Sequence, residues 1–361
     1  MMQTTRRPAR WAAAALLALA LALSACGNGD STSAPDDESE PSEPAEPAEP
    51  AEGEEGETGA SDAASLEPEV ATLRVGITSP TPDLMPPVIA TDLGFFDELG
   101  LDIEVFQFTG GGEATRALLT GDVDVLAGNL LQAVAGTGTG ADMVGFYGIN
   151  YTTGQSWWAQ PEITSLEQLE GGSVATNPAG SMPYLVTGYM LDTLTDFGVE
   201  GVELIGVGGP GARYDALEVG QVDAANLVVP DVFTAEEAGY NRIAGAEELP
   251  GSPPNAYMAM REFVDANPNT IELFVQGVEW ANDAWHERPE EVAGVLMDRL
   301  GYTDELADLV LTGDVEAEWF DRGEILRSDA ELTVDLLLEA GDLEQTLEVE
   351  QFVHDRYIEL G

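Results

Sequence analysis

Apolar positions along most of this chain fall in short continuous runs, separated by amphipathic stretches of helical period. Leu73-Arg74-Val75-Gly76-Ile77 reads as a buried strand. Pro86 to Phe96 predicts a helix, with Pro86 and Pro87 in its first turn. Leu101 to Phe108 predicts a second strand, with Asp102 and Glu104 alternating against apolar neighbours. Glu113 to Leu119 predicts a helix, Val123 to Ala127 a third strand, and Asp142 to Gly148 contains another. A second set follows: a strand at Ser173 to Thr176, a helix from Met182 to Thr195 and a strand at Val202 to Val207. It ends with a helix from Ala212 to Val219 and a strand at Val222 to Val229. After about Phe263 the pattern is helical through Tyr357. Strands and helices alternating over short links predict an α/β fold of parallel sheets covered by helices on both faces.

The first residues have a different pattern. Arg6, Arg7 and Arg10 precede an apolar run from Trp11 to Leu23, closed by Ser24, Ala25 and Cys26. A basic region, an apolar core and a small-residue site are the layout of a signal peptide, expected at 1–25. The apolar run is well short of the ~20 residues a spanning helix needs. Cys26 is the sole cysteine, so it has no intramolecular disulfide partner. Its setting after Leu23-Ser24-Ala25 resembles the lipobox of bacterial lipoproteins. That resemblance implies cleavage before Cys26 and a lipid anchor on it, at the outer face of the cell membrane.

Residues 26–71 form an acidic Pro/Ala/Glu tether with almost nothing apolar to bury, and are expected to stay disordered. The remaining 290 or so residues suggest two lobes. Of the 67 acids, 15 lie in the tether; of the 13 arginines, three lie in the signal segment. The remainder therefore carries 52 acids against 10 arginines, a formal charge of −42, with no lysine. Nucleic acid needs a basic footprint and is excluded as a partner. So large an acid excess is read as adaptation to a salty milieu, where screening over a few Å makes self-repulsion tolerable.

Several blocks together resemble the ABC-transporter solute-binding proteins for nitrate, sulfonates, taurine and thiamine precursors. They are Leu73-Arg74-Val75-Gly76, Leu93-Gly94-Phe95-Phe96, Gly100 to Val105, Gly110-Gly111-Gly112, Ala117 to Gly121 and Val123-Asp124-Val125. Ser165 to Gly171, Val174-Ala175, Ala216 to Ala225, Asn267-Pro268 and Arg288-Pro289-Glu290-Glu291 continue the series. The resemblance implies a two-lobed periplasmic-binding-protein type II fold, a ligand cleft between the lobes, and a helical C-terminal extension packed on lobe 1. Lobe 1 is expected at 72–157 and 255–361 and lobe 2 at 158–254, with crossings at Tyr151 to Ala159 and Ala256 to Arg261. It further implies capture of a small organic molecule by lobe closure and delivery to an ABC permease with a cytoplasmic ATPase. The alternative is a tethered sensor using the same cleft. A monomer is expected.

In open parallel sheets, ligands sit beyond the carboxyl ends of strands. That rule selects Thr78, Ser79 and Pro80 after the first strand and Thr109, Gly110, Gly111 and Gly112 after the second. Asn129 follows the third, as ligand contact or helix cap. In lobe 2 it selects Thr176, Asn177, Gly180, Ser181, Met182 and Tyr184 around a helix amino terminus, where unpaired N–H groups favour acceptor-rich ligands. The third lobe-2 strand places Asn226 and Asp231 near the cleft. Tyr151, Trp157 and Trp158 cluster at the first crossing, where they either stack on a flat ligand or pack the hinge. Tyr214 is a further candidate. Arg116 and Arg213 sit in first turns of helices near the cleft; with so many carboxylates about, a structural ion pair is the expected role. These features favour a neutral or singly charged organic molecule, such as a heterocycle, with an alkyl sulfonate next.

Catalytic patterns are poor. The chain holds no Gly-x-Ser-x-Gly elbow, P-loop or zinc-spaced His/Cys set, and His286 and His354 lie in the helical tail. No catalytic residue, cofactor or metal is expected.

Overall fold

A computed structural model describes residues 66–361, except 109, 151–154, 180, 197–199, 246–252, 313–322, 356–357 and 360–361. The chain enters through β1 (Leu73–Ile77), α1 (Pro86–Asp92), α2 (Phe95–Glu98), β2 (Ile103–Gln107), α3 (Gly111–Thr120), β3 (Val125–Asn129), α4 (Leu131–Gly138) and β4 (Met143–Asn150). It continues with β5 (Ser156–Ala159), β6 (Ser173–Thr176), α5 (Met182–Asp196), β7 (Glu203–Gly206), α6 (Pro210–Glu218), β8 (Ala224–Leu227), α7 (Asp231–Glu237) and β9 (Asn241–Gly245). Then come β10 (Asn255–Met260), α8 (Arg261–Ala266), α9 (Pro268–Glu287), α10 (Pro289–Leu300), α11 (Asp304–Thr312), β11 (Ile325–Leu326), α12 (Arg327–Ala340) and β12 (Ile358–Glu359).

Ten strands form two five-stranded sheets, ordered β2-β1-β3-β10-β4 and β7-β6-β8-β5-β9. The two orders are equivalent. In each sheet four strands come from one continuous stretch of chain, and the fourth place is taken by a strand that a crossing delivers. The delivered strands β10 and β5 run antiparallel to both neighbours, while β1 with β2 and β3, and β6 with β7 and β8, are parallel. The sheets are thus mixed rather than parallel, because a chain arriving from the other lobe enters from the cleft side. Sheet membership changes between Asn150 and Ser156, so Ser156–Ala159 is a lobe-2 strand and not part of a crossing.

Burial accounts for the strands. Leu73, Val75 and Ile77 are fully buried, as the covered centre of a sheet requires, whereas the edge strand β2 exposes Glu104 and Phe106. The helix expected from Pro86 to Phe96 is two helices, because Gly94 takes a left-handed φ of 79° and stops the first. Helices α8 to α11 cover lobe 1. Phe274 of α9 packs edge-on against Tyr257 at 4.9 Å and stacks on Phe96 at 6.0 Å. Helix α12 touches both lobes, through α4 and α5, and the tail is interrupted by the short β11–β12 pair. Among the described residues no helix is long and apolar enough to cross a membrane.

Candidate ligand-binding site

A cavity of about 680 Å³ opens between the two sheets, at the carboxyl ends of their parallel strands. Lobe 1 contributes Thr78 and Ser79 after β1, Gly110 to Gly112 at the start of α3, Asn129 at the end of β3 and Gln132 in the first turn of α4. Lobe 2 contributes Asn177 and Ser181 before α5 and Met182 at its start, Gly208 and Gly209 before α6 and Pro210 at its start, and Arg213 within α6. Gln155 and Asn255 line it at the ends of the crossings, and Leu337 of α12 closes one side.

The floor on the lobe-1 side is an amide network around Asp83. Its Oδ2 accepts from Asn150 Nδ2 at 3.2 Å and from Asn255 Nδ2 at 2.8 Å. Asn150 ends the strand before the first crossing and Asn255 begins the strand after the second, so one carboxylate ties both. The Asn255 N–H donates to Asn150 Oδ1 at 3.2 Å. Burial pushes the Asp83 carboxyl above its usual range, against the hydrogen bonds from Thr81, Asn150 and Asn255 that favour its charge. Asn129 lines the cavity, yet both halves of its amide are engaged. Nδ2 donates to the Pro253 carbonyl at 2.9 Å, and Oδ1 accepts from the Leu131 N–H at the start of α4.

On the lobe-2 side Arg213 is 1% exposed. One terminal nitrogen donates to Asn226 Oδ1 at 2.6 Å, and Asn226 Nδ2 donates to Gln155 Oε1 at 2.9 Å. Among the described residues the Arg213 Nε has no hydrogen-bond partner. Burial pulls this guanidinium down to about 10, partly offset by the charge of Asp231. Among the described residues no carboxylate lies within ion-pair distance of Arg213, which corrects the expected structural pair. The Asp231 carboxyl is itself raised by burial, with one buried oxygen unpartnered. Among the described residues two further buried acceptors are unpaired on residues that line the cavity, Gln132 Oε1 and Asn177 Oδ1.

Other expected residues lie elsewhere. Trp157 is fully buried in the lobe-2 core, its Nε1 donating to Thr187 Oγ1 at 3.0 Å. Trp158 is 6% exposed on the opposite face of β5, donating to Ser156 Oγ at 2.8 Å. Neither lines the cavity. Adjacent strand residues point to opposite faces, so these two rings have no common side on which to sandwich one molecule. Thr176 and Asn226 are fully buried behind the cavity wall. Pro80 lines a smaller neighbouring cavity of about 330 Å³ with Asp231 and Tyr302. Tyr184 packs beside α12, Tyr214 packs edge-on against Tyr240, and Arg116 is exposed on α3. Thr109, Tyr151, Gly180 and Cys26 lie outside the described residues.

Sequence reasoning missed Asp83, Gln132, Gln155, Asn255 and Gly208 to Pro210. The last had a readable signal, since it repeats after β7 the glycine-rich link that follows β2. Gln132 had none, because α4 is built from small residues without amphipathic contrast. Its side chain lies over Gly111, where a Cβ would sit 2.2 Å from Gln132 Nε2. Only glycine at 111 leaves that amide room at the cavity wall.

Comparison with known proteins agrees with this architecture. YtlA of Bacillus subtilis (strain 168) is 24% identical over 227 residues, 61% of this chain and 68% of YtlA. The periplasmic aliphatic sulphonate binding protein SsuA from Escherichia coli superposes with a TM-score of 0.67 at 17% identity, covering 80% of this chain and 99% of SsuA. The periplasmic nitrate-binding protein NrtA from Synechocystis PCC 6803 gives 0.68 at 18% identity, covering 80% of this chain and 88% of NrtA. Residues 66–297, which span both sheets, match the NMT1-like family, and the chain belongs to it.

Proposed function

We propose that this chain is the extracytoplasmic solute-binding component of an ABC importer, held to the membrane by lipid on Cys26. The observation that supports this most is the cavity itself, lined by loops of both lobes, which are joined by two crossings. A molecule touching both lobes favours their closed arrangement through contacts that exist only there. The volume suits a small organic ligand. Thr78, Ser79, Gly110 to Gly112, Asn129, Asn177, Ser181 and Met182 are the contacts we assign to it. SsuA and NrtA, which share the fold, are named as binding proteins. The chain is a carrier rather than an enzyme, and a permease with its ATPase is the partner.

A melting-temperature screen of the purified chain against pyrimidines, other heterocycles, sulfonates and nitrate identifies the solute. Cells lacking this chain should then lose its high-affinity uptake. Unchanged uptake in those cells rejects the importer reading.

A further inference from the structure

The two lobes repeat each other at a constant offset of 99 positions. Phe108 N–H donates to the Ile77 carbonyl and Val207 N–H to the Thr176 carbonyl, both at 2.9 Å. Gly110 precedes α3 and Gly209 precedes α6. The N–H groups of Ala114 and Arg213 each donate to those glycine carbonyls at 3.3 Å. Ala117-Leu118 and Gly121-x-Val123-Asp124 recur as Ala216-Leu217 and Gly220-x-Val222-Asp223. Within this repeat, the lobe-1 partner of Arg213 is Ala114 and that of Asn226 is Ala127, and both alanines are fully buried. Lobe 1 therefore carries a small buried alanine at each of these two positions. Lobe 2 replaces both at once, with a guanidinium and the amide that holds it.

The fold does not need this pair, and burying it is unfavourable. A buried cation without a partner carboxylate is costly. Arg213 also lies in the first turns of α6, where the helix dipole repels a cation and attracts an anion. Its Nε is left unpartnered beside the cavity, and native interiors leave few such groups without a reason. An acid group in the cavity supplies the missing counter-charge, at a helix end that attracts anions. Its oxygens accept from the guanidinium fork, while Asn226, fixed by Gln155, holds the fork in one orientation.

We infer that Arg213 is the specificity-determining residue of the cavity, and that the ligand is an organic monoanion whose carboxylate or sulfonate pairs with it. The inference rests on the solute-capture reading. It moves the ligand away from an uncharged heterocycle and makes the Arg213–Asn226 pair the site of selection.

Butanesulfonate, butyrate and cytosine, titrated calorimetrically into the purified full-length chain, test it. The variant is Arg213→Ala/Asn226→Ala, which gives lobe 2 the alanine pair of lobe 1. The parent should bind butanesulfonate or butyrate, and whichever binds more tightly names the acid. The double variant should melt no lower than the parent yet bind that anion about 100-fold more weakly, the scale of losing a buried charge partner. Anion affinity within about threefold of the parent would overturn the inference. So would a double variant melting well below the parent, since Arg213 would then be holding the lobe together. Binding of cytosine alone, or of none of the three, overturns the acid ligand and leaves solute capture to the uptake experiment.

Discussion

Asp223 accepts hydrogen bonds from the N–H and the hydroxyl of Ser173, each at 2.8 Å, and so fixes the start of β6 to the start of β8. Lobe 1 has the equivalent clamp. Asp124 accepts from the Arg74 N–H at 3.0 Å and from its Nε at 2.9 Å, joining β1 to β3. In both lobes the aspartate follows a Gly-x-Val that ends the preceding helix. One carboxylate thus sets the register of two parallel strands, and with it the position of both strand-end loops at the cavity.

Removing either clamp leaves backbone and side-chain donors without a partner. Asp223→Ala should lower the unfolding free energy by about 1–3 kcal/mol, and Asp223→Asn by less, because one acceptor oxygen remains. Urea denaturation of the two variants measures this. Equal losses for Ala and Asn would mean that charge, and not the acceptor geometry, holds the strands.

Gly277 of α9 lies against the Phe96 ring, where an added Cβ would sit 2.1 Å from Cε1. Alanine at 277 gains roughly 1 kcal/mol of helix propensity. It also forces the buried ring from its stack on Phe274, an overpacking cost of about 1–3 kcal/mol. Overpacking wins where the neighbour cannot yield, and both rings are buried. Gly277→Ala should therefore destabilise by up to about 2 kcal/mol. A melting temperature at or above the parent's would show that the ring relaxes freely.

Much of the fold was legible because it rests on backbone periodicity. The continuous run Leu73 to Ile77 suits a strand covered on both faces, and the Gly-rich links follow strand ends whatever their side chains do. Helix α4 was not legible, since Ala133, Gly136 and Gly138 give it no polar face to contrast with an apolar one. The antiparallel β5 and β10 were illegible too, because direction depends on which lobe a strand arrives from. Within the site the loops followed from strand order, whereas Trp157 and Trp158 did not. Aromatic residues beside a crossing carry the same signal whether they face a ligand or a core. Arg213 was misread for a related reason. Composition supplies carboxylates everywhere, but only the fold tells whether one reaches α6.

Asp329, in the first turn of α12, has its carboxyl pushed up to about 6 by burial. In the unfolded chain an aspartate titrates near 3.9. The fold therefore favours the protonated form. The stability this gives is complete below about pH 4 and is lost as pH rises through about 6. Asp329→Asn mimics the protonated form at every pH. The melting temperature of the variant minus that of the parent should rise between pH 4 and 6 and level off above. A difference constant across that window would contradict the burial argument.

Cys26→Ser removes the sulfur that a lipobox-type modification uses. A lipid anchor contributes ~0.8 kcal/mol per buried CH₂, so several acyl chains hold a protein on a membrane and none does not. The serine variant should appear in the medium instead of the membrane fraction. A variant that still sediments with membranes rejects the anchor.

Salt is the last test, and it concerns the whole surface. The chain carries a formal net charge of −54. Among the described residues five arginines are already paired with acids: Arg74 with Asp124, Arg261 with Asp142, Arg288 with Glu291, Arg299 with Asp92 and Arg327 with Glu350. The acids left over repel one another more strongly in the compact state than in the extended chain. Screening shortens that repulsion from ~10 Å at 0.1 M salt to ~3 Å at 1 M. The melting temperature should therefore rise by several degrees between low and molar NaCl, and most of the rise should come below about 0.5 M, where the screening length changes fastest. Salts excluded from protein surfaces also strengthen apolar burial, but that effect keeps growing with concentration. A plateau near molar salt identifies screening, and a steady climb into several molar identifies exclusion. A melting temperature flat across the whole range would mean that the acidic surface places no demand on its solvent, and the reading of adaptation to a salty milieu would fall with it.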